Sequence, residues 1–308
     1  MYNHGKEHPE VSIVIATRNR RAMLADAVNS VQAQAGVDWE LIIVDDASTD
    51  DTWDFLSGLH DPRIRCFRQE KQYERSAARN LGLANSRSEF IIFLDDDDLL
   101  WPKTLSVLKD ALEKYPDTVA AIGARWDWFV DGHYGRRDVH PRFMRRRHIF
   151  DELLFGWSAV SGQNLYRTKV VRDVGGYDIS LNICEDRDLW LRVAGKGPVL
   201  LCPEIVMTYR VHRGQWRPDN LLQIRERVAR RAIRNLPRPE RRRALIFRWC
   251  TALVQQAEDA IRAGRYAAGI GLIVRAFAAA PRLFTSPLIG PWVARRLAGR
   301  IWHRLKGS

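Results

Sequence analysis

Short apolar runs alternate with segments of helical periodicity over the first two thirds of this chain. The runs are rich in β-branched and aromatic residues, a composition typical of strands that are buried on both faces of a parallel sheet. The helical segments repeat apolar residues every three or four positions, as Met23, Ala27 and Val31 do. This pattern predicts strands at 11–16, 39–44, 63–67, 90–94, 119–123, 160–166 and 206–211, and helices at 20–35, 76–84, 102–115, 168–174 and from 185 onward.

Alternation at this spacing predicts an α/β fold with a doubly wound, mostly parallel sheet and right-handed crossovers. Three of the strands end in polar residues, at Thr17-Arg18, Asp45-Asp46 and Asp95 to Asp98. The carboxyl ends of parallel strands share one edge, where open α/β sheets bind their ligands. We therefore expect these polar residues to lie close together. We also expect Ser48 to cap the helix that follows the second strand.

The stretch from Phe90 to Asp98 carries a distinct chemical signal. Five apolar residues are followed directly by four carboxylates, which repel one another. A hard divalent cation, Mg²⁺ or Mn²⁺, would remove that repulsion. Asp95 and Asp97 stand two positions apart, so in an extended chain both side chains could approach one ion. The alternative is a solvated acidic turn ahead of a helix that Pro102 would open.

A second acidic candidate is the pair Glu185-Asp186, at the start of a predicted helix. Acids in a first helical turn are stabilised by the helix dipole, so a purely structural role would explain the pair. A carboxylate held against an acceptor hydroxyl could instead act as a general base. His212 follows the last predicted strand, and a lone histidine is more often a surface or hydrogen-bonded residue than a ligand.

The segment 125–148 has no clear periodicity and is rich in Trp, Arg and His. Its length and polarity predict a long irregular loop. Two interpretations stay open, a solvated basic loop and a loop that binds an acceptor.

The charge is unevenly distributed along the 308 residues, although the composition is ordinary for a globular protein. Residues 221–308 contain 19 Lys and Arg against 4 Asp and Glu, whereas the rest of the chain is nearly neutral. This shift predicts two domains, 1–218 and a basic helical extension at 219–308, and an anionic partner for the extension. Its helices are predicted near 220–236, 240–263, 266–280 and 291–305.

The last predicted helix, 291–305, repeats apolar residues every four positions and carries arginines on its other faces. A basic amphipathic helix with Trp292 and Trp302 suits an anionic membrane surface, to which residues 287–308 could bind. The alternative is a helix whose apolar stripe packs on its own domain.

The four cysteines lie far apart without a CxxC pair, which argues against a disulfide framework or a zinc site. The first ten residues lack the apolar core of a signal peptide, and no apolar run approaches the roughly 20 residues of a spanning helix. We therefore expect a cytoplasmic protein that is peripheral at the inner face of the cell membrane.

Taken together, the ordered motifs resemble the inverting glycosyltransferase family 2, which has the glycosyltransferase A-type, Rossmann-like fold. The resemblance runs from about residue 11 to residue 212 and rests on VSIVIATRNR, LIIVDDASTD, SAARNLGLANSRSEFIIFLDDDD, GGYD, CEDRDLW and YRVH. It implies that residues 1–218 transfer a sugar from a nucleoside-diphosphate sugar, expected to be a UDP-sugar. The acceptor would be a saccharide, a lipid-linked or another hydroxyl compound, as in cell-envelope polysaccharide or glycolipid synthesis. The QxxRW motif of processive members is absent, which favours one sugar per encounter.

The resemblance also implies a role for each residue that matches a motif. Asp186 would be the catalytic base. Asp97 would bind Mg²⁺ or Mn²⁺ as the metal ligand of a DxD motif, and His212 would lie near the metal or the diphosphate. The residues expected to bind the nucleotide sugar are Thr17, Arg18, Asp45, Arg79, Asp95 and Asp96.

Three other classes of protein remain as alternatives. A metal-dependent nucleotidyltransferase would also use acids at strand ends, but it gives no account of the Glu185-Asp186 pair followed by YRVH. A nucleic-acid-binding protein could use the basic extension, but that extension lacks a recognised DNA or RNA motif, so no nucleic acid is expected. A catalytically silent nucleotide-binding module is disfavoured by the intact set of Asp95, Asp97 and Asp186.

Overall fold

A computed structural model describes residues 8–129, 134–137, 143–155, 159–212 and 221–285. The chain divides into two compact units. One comprises Met1–Arg147 with Ala159–Ile224, and the other comprises His148–Ser158 with Arg225–Ser308. The described residues 148–155 therefore group with the C-terminal unit, whereas the predicted division at residue 218 placed them in the first domain.

The first unit is built around one mixed sheet, whose described strands have the order β3-β2-β1-β4-β9-β6-β10-β5, with β7 beside β6 and β8 beside β10. The pairs among β1 to β4 and the pair β6–β10 are parallel, whereas β5, β7, β8 and β9 pair antiparallel. The strands are β1 (Val11–Thr17), β2 (Trp39–Asp45), β3 (Ile64–Arg68), β4 (Phe90–Asp95), β5 (Leu99–Leu100), β6 (Ala120–Phe129), β7 (Tyr134–Arg137), β8 (Arg145–Arg147), β9 (Asn164–Arg167) and β10 (Val199–Val211).

Helices connect the strands of the first unit and form most of the second. The first unit contains α1 (Arg21–Gln32), α2 (Thr52–Ser57), α3 (Glu74–Asn85), α4 (Thr104–Lys114), α6 (Thr168–Asp173) and α7 (Glu185–Ala194). The second contains α5 (Phe150–Phe155), most of α8 (Leu221–Arg234), α9 (Arg238–Arg262), α10 (Tyr266–Ala279) and α11 (Pro281–Phe284). The predicted α/β sheet with C-terminal helices is thereby confirmed.

The core of the first unit lies where the central strands pack against the apolar faces of α1 and α4. Ile13 of β1 pairs in register with Leu41 of β2 and Ile92 of β4, and all three side chains are fully buried. Helix α3 approaches β1 closely at Gly82, where an added Cβ would lie 2.3 Å from Val14 Cγ1. This close approach fixes α3, and with it Arg79 one turn earlier, above the sheet.

Two local predictions are wrong. The segment 125–148 is not one irregular loop, because β6 continues to Phe129 and the described residues beyond it include β7 and β8. Ser48 does not cap a helix, because α2 begins only at Thr52. The Ser48 hydroxyl instead accepts a hydrogen bond from the backbone N–H of Asn19 at 2.9 Å, which ties the loop after β2 to the loop after β1.

The predicted helix 291–305, together with the proposed membrane-binding stretch 287–308, lies outside the described residues. Within the described part of the chain, no helix has both the length and the apolar character needed to cross a membrane.

Candidate active site

The polar ends of β1, β2 and β4 lie at one edge of the sheet, as predicted. These strands are parallel neighbours, and Thr17 pairs with Asp45 while Ala16 pairs with Asp95. A cleft of about 390 Å³ opens above this edge. Its lining includes Thr17, Arg18, Arg20, Asp46, Arg79, Asp95, Asp96 and Asp97.

The carboxylates that follow β4 are gathered by a turn. The backbone N–H of Asp98 donates to the carbonyl of Asp95 at 3.1 Å, so the chain reverses directly after the strand. One oxygen from each of Asp95, Asp97 and Asp98 lies within 4.8 Å of the others. The expectation that an extended chain would align Asp95 with Asp97 is therefore wrong in its geometry, although the two carboxylates do converge. Asp98, which the sequence did not single out, joins them.

Cationic and polar side chains hold this turn in place. Arg20 donates from Nη1 to Asp97 Oδ2 at 2.7 Å and to Asp96 Oδ1 at 3.1 Å. Thr17 Oγ1 donates to Asp96 Oδ2 at 2.8 Å. The Nε2 atom of His212 lies 3.0 Å from Oδ2 of Asp97, the predicted metal ligand, and the position of His212 near a metal or the diphosphate stays a prediction. Residues at or just after the ends of β1 and β10 thus position the acids that follow β4.

Arg210 also supports the acidic turn. Its backbone N–H donates to Asp98 Oδ1 at 2.9 Å, and its Nε donates to the carbonyl oxygen of Asp97. Its guanidinium also bonds Asp26 and the carbonyl of Met23, both on α1. The acidic turn is therefore anchored to the protein body and is not a solvated loop.

Burial and mutual repulsion disfavour the charged forms of two of these acids. Burial raises the pKa of Asp96 to about 6, against the opposing attraction of Arg20. Burial, with the charges of Asp95 and Asp97, raises the pKa of Asp98 well above its ordinary value. The buried Oδ2 atom of Asp98 has no hydrogen-bond partner among the residues the structure describes. A buried carboxylate with an unpartnered oxygen, in a cluster with two other carboxylates, fits a hard divalent cation, whose charge would offset both costs.

Arg79 of α3 connects the acidic turn to the second candidate acid pair. Its Nη2 atom lies 2.5 Å from Asp95 Oδ1, and its Nη1 atom donates to Glu185 Oε1 at 2.9 Å and to Asp186 Oδ1 at 3.1 Å. Its side chain is only 3% exposed. Burial alone would lower the pKa of Arg79, but the carboxylates of Asp186, Asp95 and Glu185 outweigh it and raise that pKa well above its ordinary value. Arg79 is therefore a permanent cation between two groups of acids.

Asp186 lies in surroundings that favour proton exchange near neutral pH. Its side chain is 31% exposed, and its partial burial raises its pKa to about 7. Arg79 opposes this shift, while Glu185 and Asp95 add to it. Tyr177 is buried nearby, with the guanidinium of Arg79 at 5.0 Å from its ring centroid. A carboxylate with such a pKa can accept a proton at physiological pH.

Asp45, which is also predicted to bind the donor, makes its contacts within the protein. Its side chain is fully buried, accepts a hydrogen bond from the backbone of Ser48 at 3.1 Å and lies 3.4 Å from Nε of Arg68. Its neighbour Asp46 lines the cleft and accepts the backbone N–H groups of Tyr73 and Glu74, at 2.7 and 2.9 Å. The donor-binding roles of Asp45, Thr17 and Arg18 therefore stay predictions.

The sequence did not assign three residues that the structure brings into the site. Arg20 contacts two of the acids, Asp98 completes the carboxylate cluster and Glu185 binds Arg79. Asp98 and Glu185 are each next in sequence to an assigned acid, so the sequence already placed them near the site. The role of Arg20 had no sequence signal beyond its position in the polar turn after β1.

Comparison with known proteins gives consistent results. Residues 12–175 match the sequence model of glycosyl transferase family 2. The Escherichia coli UDP-Glc:alpha-D-GlcNAc-diphosphoundecaprenol beta-1,3-glucosyltransferase WfaP is 40% identical over 208 residues, which cover 66% of this chain and 78% of WfaP. The uncharacterized protein y4gI of Sinorhizobium fredii is 30% identical over 210 residues, covering 66% of this chain but only 21% of y4gI.

Among solved structures, S. aureus TarS 1–349 in complex with UDP-GlcNAc superposes with a TM-score of 0.64 at 17% identity, covering 95% of this chain and 88% of that one. A longer TarS chain is covered to only 43%. At this level of identity the likeness to TarS establishes the fold.

Proposed function

The chain belongs to glycosyl transferase family 2, and from this premise we propose that it moves a single sugar, with inversion, from a nucleoside-diphosphate sugar to an acceptor hydroxyl. Arg79 provides the observation that carries this function. Its guanidinium lines the cleft and contacts both Asp95, in the acidic turn after β4, and Asp186, at the start of α7. A candidate metal cluster and a candidate base are thus joined through one side chain.

The donor is proposed to be a UDP-sugar that occupies the cleft above the sheet edge. WfaP is named for UDP-glucose, and the TarS structure contains UDP-GlcNAc, which supports a uridine nucleotide. Donor binding is assigned to Thr17, Arg18, Asp45, Arg79, Asp95 and Asp96. Arg18 and Arg20 place positive charge in the cleft, where a diphosphate needs it.

A divalent cation, Mg²⁺ or Mn²⁺, is proposed to be held by Asp97, with Asp95 and Asp98 as the neighbouring oxygen donors. The converging carboxylate oxygens and the unpartnered Oδ2 of Asp98 support this assignment. When bound, such a cation would neutralise charge that develops on the departing diphosphate. His212 lies against Asp97 and would orient that carboxylate.

Asp186 is proposed as the base that takes the proton from the acceptor hydroxyl. The acceptor oxygen forms a bond to the anomeric carbon while the bond from that carbon to the diphosphate oxygen breaks. Attack from the face opposite the leaving group inverts the configuration, and a single displacement needs no nucleophilic side chain. Arg79 favours the charged form of Asp186, which is the form that accepts a proton.

The acceptor is proposed to be a lipid-linked saccharide used in cell-envelope polysaccharide synthesis. The name of WfaP places its acceptor sugar on diphosphoundecaprenol, and the chain covers 78% of that relative. The strongly basic C-terminal region is compatible with an anionic, phosphate-bearing acceptor.

A screen of nucleotide sugars tests the proposal. Each donor is added with Mn²⁺ or Mg²⁺, and thermal stabilisation is measured, because a ligand stabilises in proportion to the logarithm of its concentration over Kd. A UDP-sugar should stand out, and its transfer product should show the inverted anomeric configuration by NMR. Stabilisation by no nucleotide sugar, or a product with retained configuration, would refute the assignment.

A further inference from the structure

Helix α10 in the second unit exposes its large apolar side chains. Its 14 residues contain one charged residue, Arg275. Tyr266, Ile270, Val274 and Phe277 are 41%, 60%, 59% and 49% exposed. These four, here called the α10 stripe, recur at intervals of three and four positions and so lie on one side of the helix.

On the side of α10 that packs against α9, the residues are small instead of large. The buried positions of α10 are small, at Gly269 and Ala276. A Cβ added at Gly269 would lie 2.6 Å from Ile261 Cγ1 and 3.1 Å from the carbonyl of Ala257, and the thiol of Cys250 contacts the carbonyl of Ala276. Small residues of α10 therefore let it approach α9 closely, with the Ile261 side chain of α9 packed over Gly269.

On α10, large apolar residues outside and small residues at the helix contact form a pattern that suits a lipid environment. In water the large side chains would be expected at the helix contact, because their burial yields the most free energy. In lipid there is no such gain, and small residues let helices pack by close backbone approach. Single exposed apolar residues are common, but a continuous stripe indicates a contact surface.

The net charge of this part of the chain indicates which surface the stripe contacts. Residues 260–285 contain four arginines, Arg262, Arg265, Arg275 and Arg282, and no Asp or Glu. Across residues 225–285 there are fourteen arginines against four acids. An exposed apolar stripe in a unit with this excess of arginines matches a surface that is apolar inside and anionic outside, namely an anionic bilayer with its phosphate headgroups.

The length of α10 limits how it can meet a bilayer. At 1.5 Å per residue its 14 residues span about 21 Å, which is short of the roughly 30 Å hydrocarbon core. Only a helix lying in the plane of the interface fits this length.

We propose that the α10 stripe inserts into the interface of an anionic phospholipid membrane and holds this enzyme at the membrane surface. This contact is separate from the predicted helix 291–305, and it does not depend on which acceptor the cleft uses. The competing occupants of the stripe are a second copy of the chain and the chain's own residues 286–308.

Vesicle flotation of the full-length protein tests this. One set of vesicles is phosphatidylcholine alone, and the other contains phosphatidylglycerol. The variant Ile270→Glu/Val274→Glu places two acids on the stripe. The matched control, Ala268→Glu/Ala279→Glu, adds the same charge to exposed positions on the other side of α10. Far-UV circular dichroism and the unfolding temperature verify that both variants fold.

The wild type should float with the anionic vesicles and bind phosphatidylcholine at least about tenfold more weakly. The stripe variant should lose at least about tenfold in binding to anionic vesicles, and the control should change by less than about threefold. Equal loss in both variants, or no loss in the stripe variant, would overturn the proposal. So would a wild type that does not float, or a vesicle-free dimer that the stripe variant dissociates.

Discussion

The sheet edge of the first unit and helix α10 of the second depart from the usual distribution of side chains in opposite directions. At the edge, charged groups are buried, with Arg79 at 3% and Asp98 at 0% exposure. On α10, large apolar groups are exposed, with Ile270 and Val274 near 60%. Both arrangements cost free energy in the free protein. Because the sequence keeps both arrangements despite their cost in free energy, we infer that these two surfaces contact other molecules.

The two regions differ in how much of that cost the protein itself offsets. Arg20, Arg79 and Arg210 each bond acids of the edge, so the edge is largely compensated within the fold. The large side chains of the α10 stripe stay exposed, so the fold offsets little of the free-energy cost of their exposure. Changes at the edge should therefore alter both turnover and stability, whereas changes on the stripe should alter neither in solution.

The largest expected effect is on turnover in Asp186→Asn. Asparagine keeps the shape but cannot accept the acceptor's proton, so kcat should fall by about 10²–10⁴-fold. Steady-state transfer of sugar from the cognate donor measures this. The unfolding temperature should stay near that of the wild type, which separates lost chemistry from lost folding. Turnover within about threefold of wild type would remove Asp186 from the role of base.

The next effect is on stability in Arg79→Met. Removing a buried guanidinium that bonds Asp95, Glu185 and Asp186 takes away the cation that these three acids share, which should lower the free energy of unfolding by about 3–5 kcal/mol. Urea denaturation at neutral pH measures it. The control is Arg75→Met, whose side chain is 51% exposed and 3.8 Å from Glu185, and which should cost less than about 1 kcal/mol. Equal losses in the two variants would show that Arg79 does not organise the site.

A smaller effect is expected from pH. Burial raises the pKa of Asp186 to about 7, and only the carboxylate form accepts a proton. The value of kcat/KM should therefore fall as pH drops through about 7, approaching tenfold per pH unit below it. The residual activity of Asp186→Asn should lack this limb. A wild-type profile that stays level from pH 7 down to about 5 would contradict the assignment.

The smallest effect is expected in Val274→Ser. Because this side chain is 59% exposed, its loss should change the free energy of unfolding in solution by less than about 0.5 kcal/mol. Val28→Ser, at a position 1% exposed in the core of the first unit, should cost at least about 2 kcal/mol. Urea denaturation of both variants makes the comparison. A large loss in Val274→Ser would mean that the stripe is packed against protein in solution.

The sheet and its polar edge could be predicted because the pattern behind them is local. Buried strands require continuous β-branched or aromatic runs, and parallel strands bring their ends together whatever the loops between them do. Asp95 was therefore identifiable as a candidate, whereas Asp186 was found from the acid pair at the start of a predicted helix. The convergence of Asp95 and Asp97 was predicted from the wrong geometry, since a turn and not an extended strand brings them together.

Other features depend on long-range contacts that the sequence pattern does not encode. Arg20 reaches Asp97 across 77 positions, and nothing in the spacing of the two residues reveals this contact. The continuation of β6 beyond residue 123 was not predicted, because a charged residue such as Arg125 is more typical of a loop. In the structure its guanidinium bonds Asp127 and Gln163, so a charged residue is accommodated within a strand.

The orientation of helix α10 also depends on a long-range contact. The apolar composition of 266–280 predicts a helix near the observed Tyr266–Ala279. It does not reveal which side faces inward, and burial of the largest residues would be the ordinary expectation. The close approach at Gly269 decides the orientation, and that depends on the partner helix α9.

Binding of the donor nucleotide sugar by calorimetry, with Mn²⁺ and then with EDTA, tests most directly whether the acidic turn after β4 holds a cation that the donor needs. The account predicts that EDTA weakens donor binding to the wild type and to Asp186→Asn by at least about tenfold, while Asp97→Ala binds weakly in both conditions. Wild-type binding that is the same in Mn²⁺ and EDTA, or Asp97→Ala binding that still responds to the metal, would contradict it.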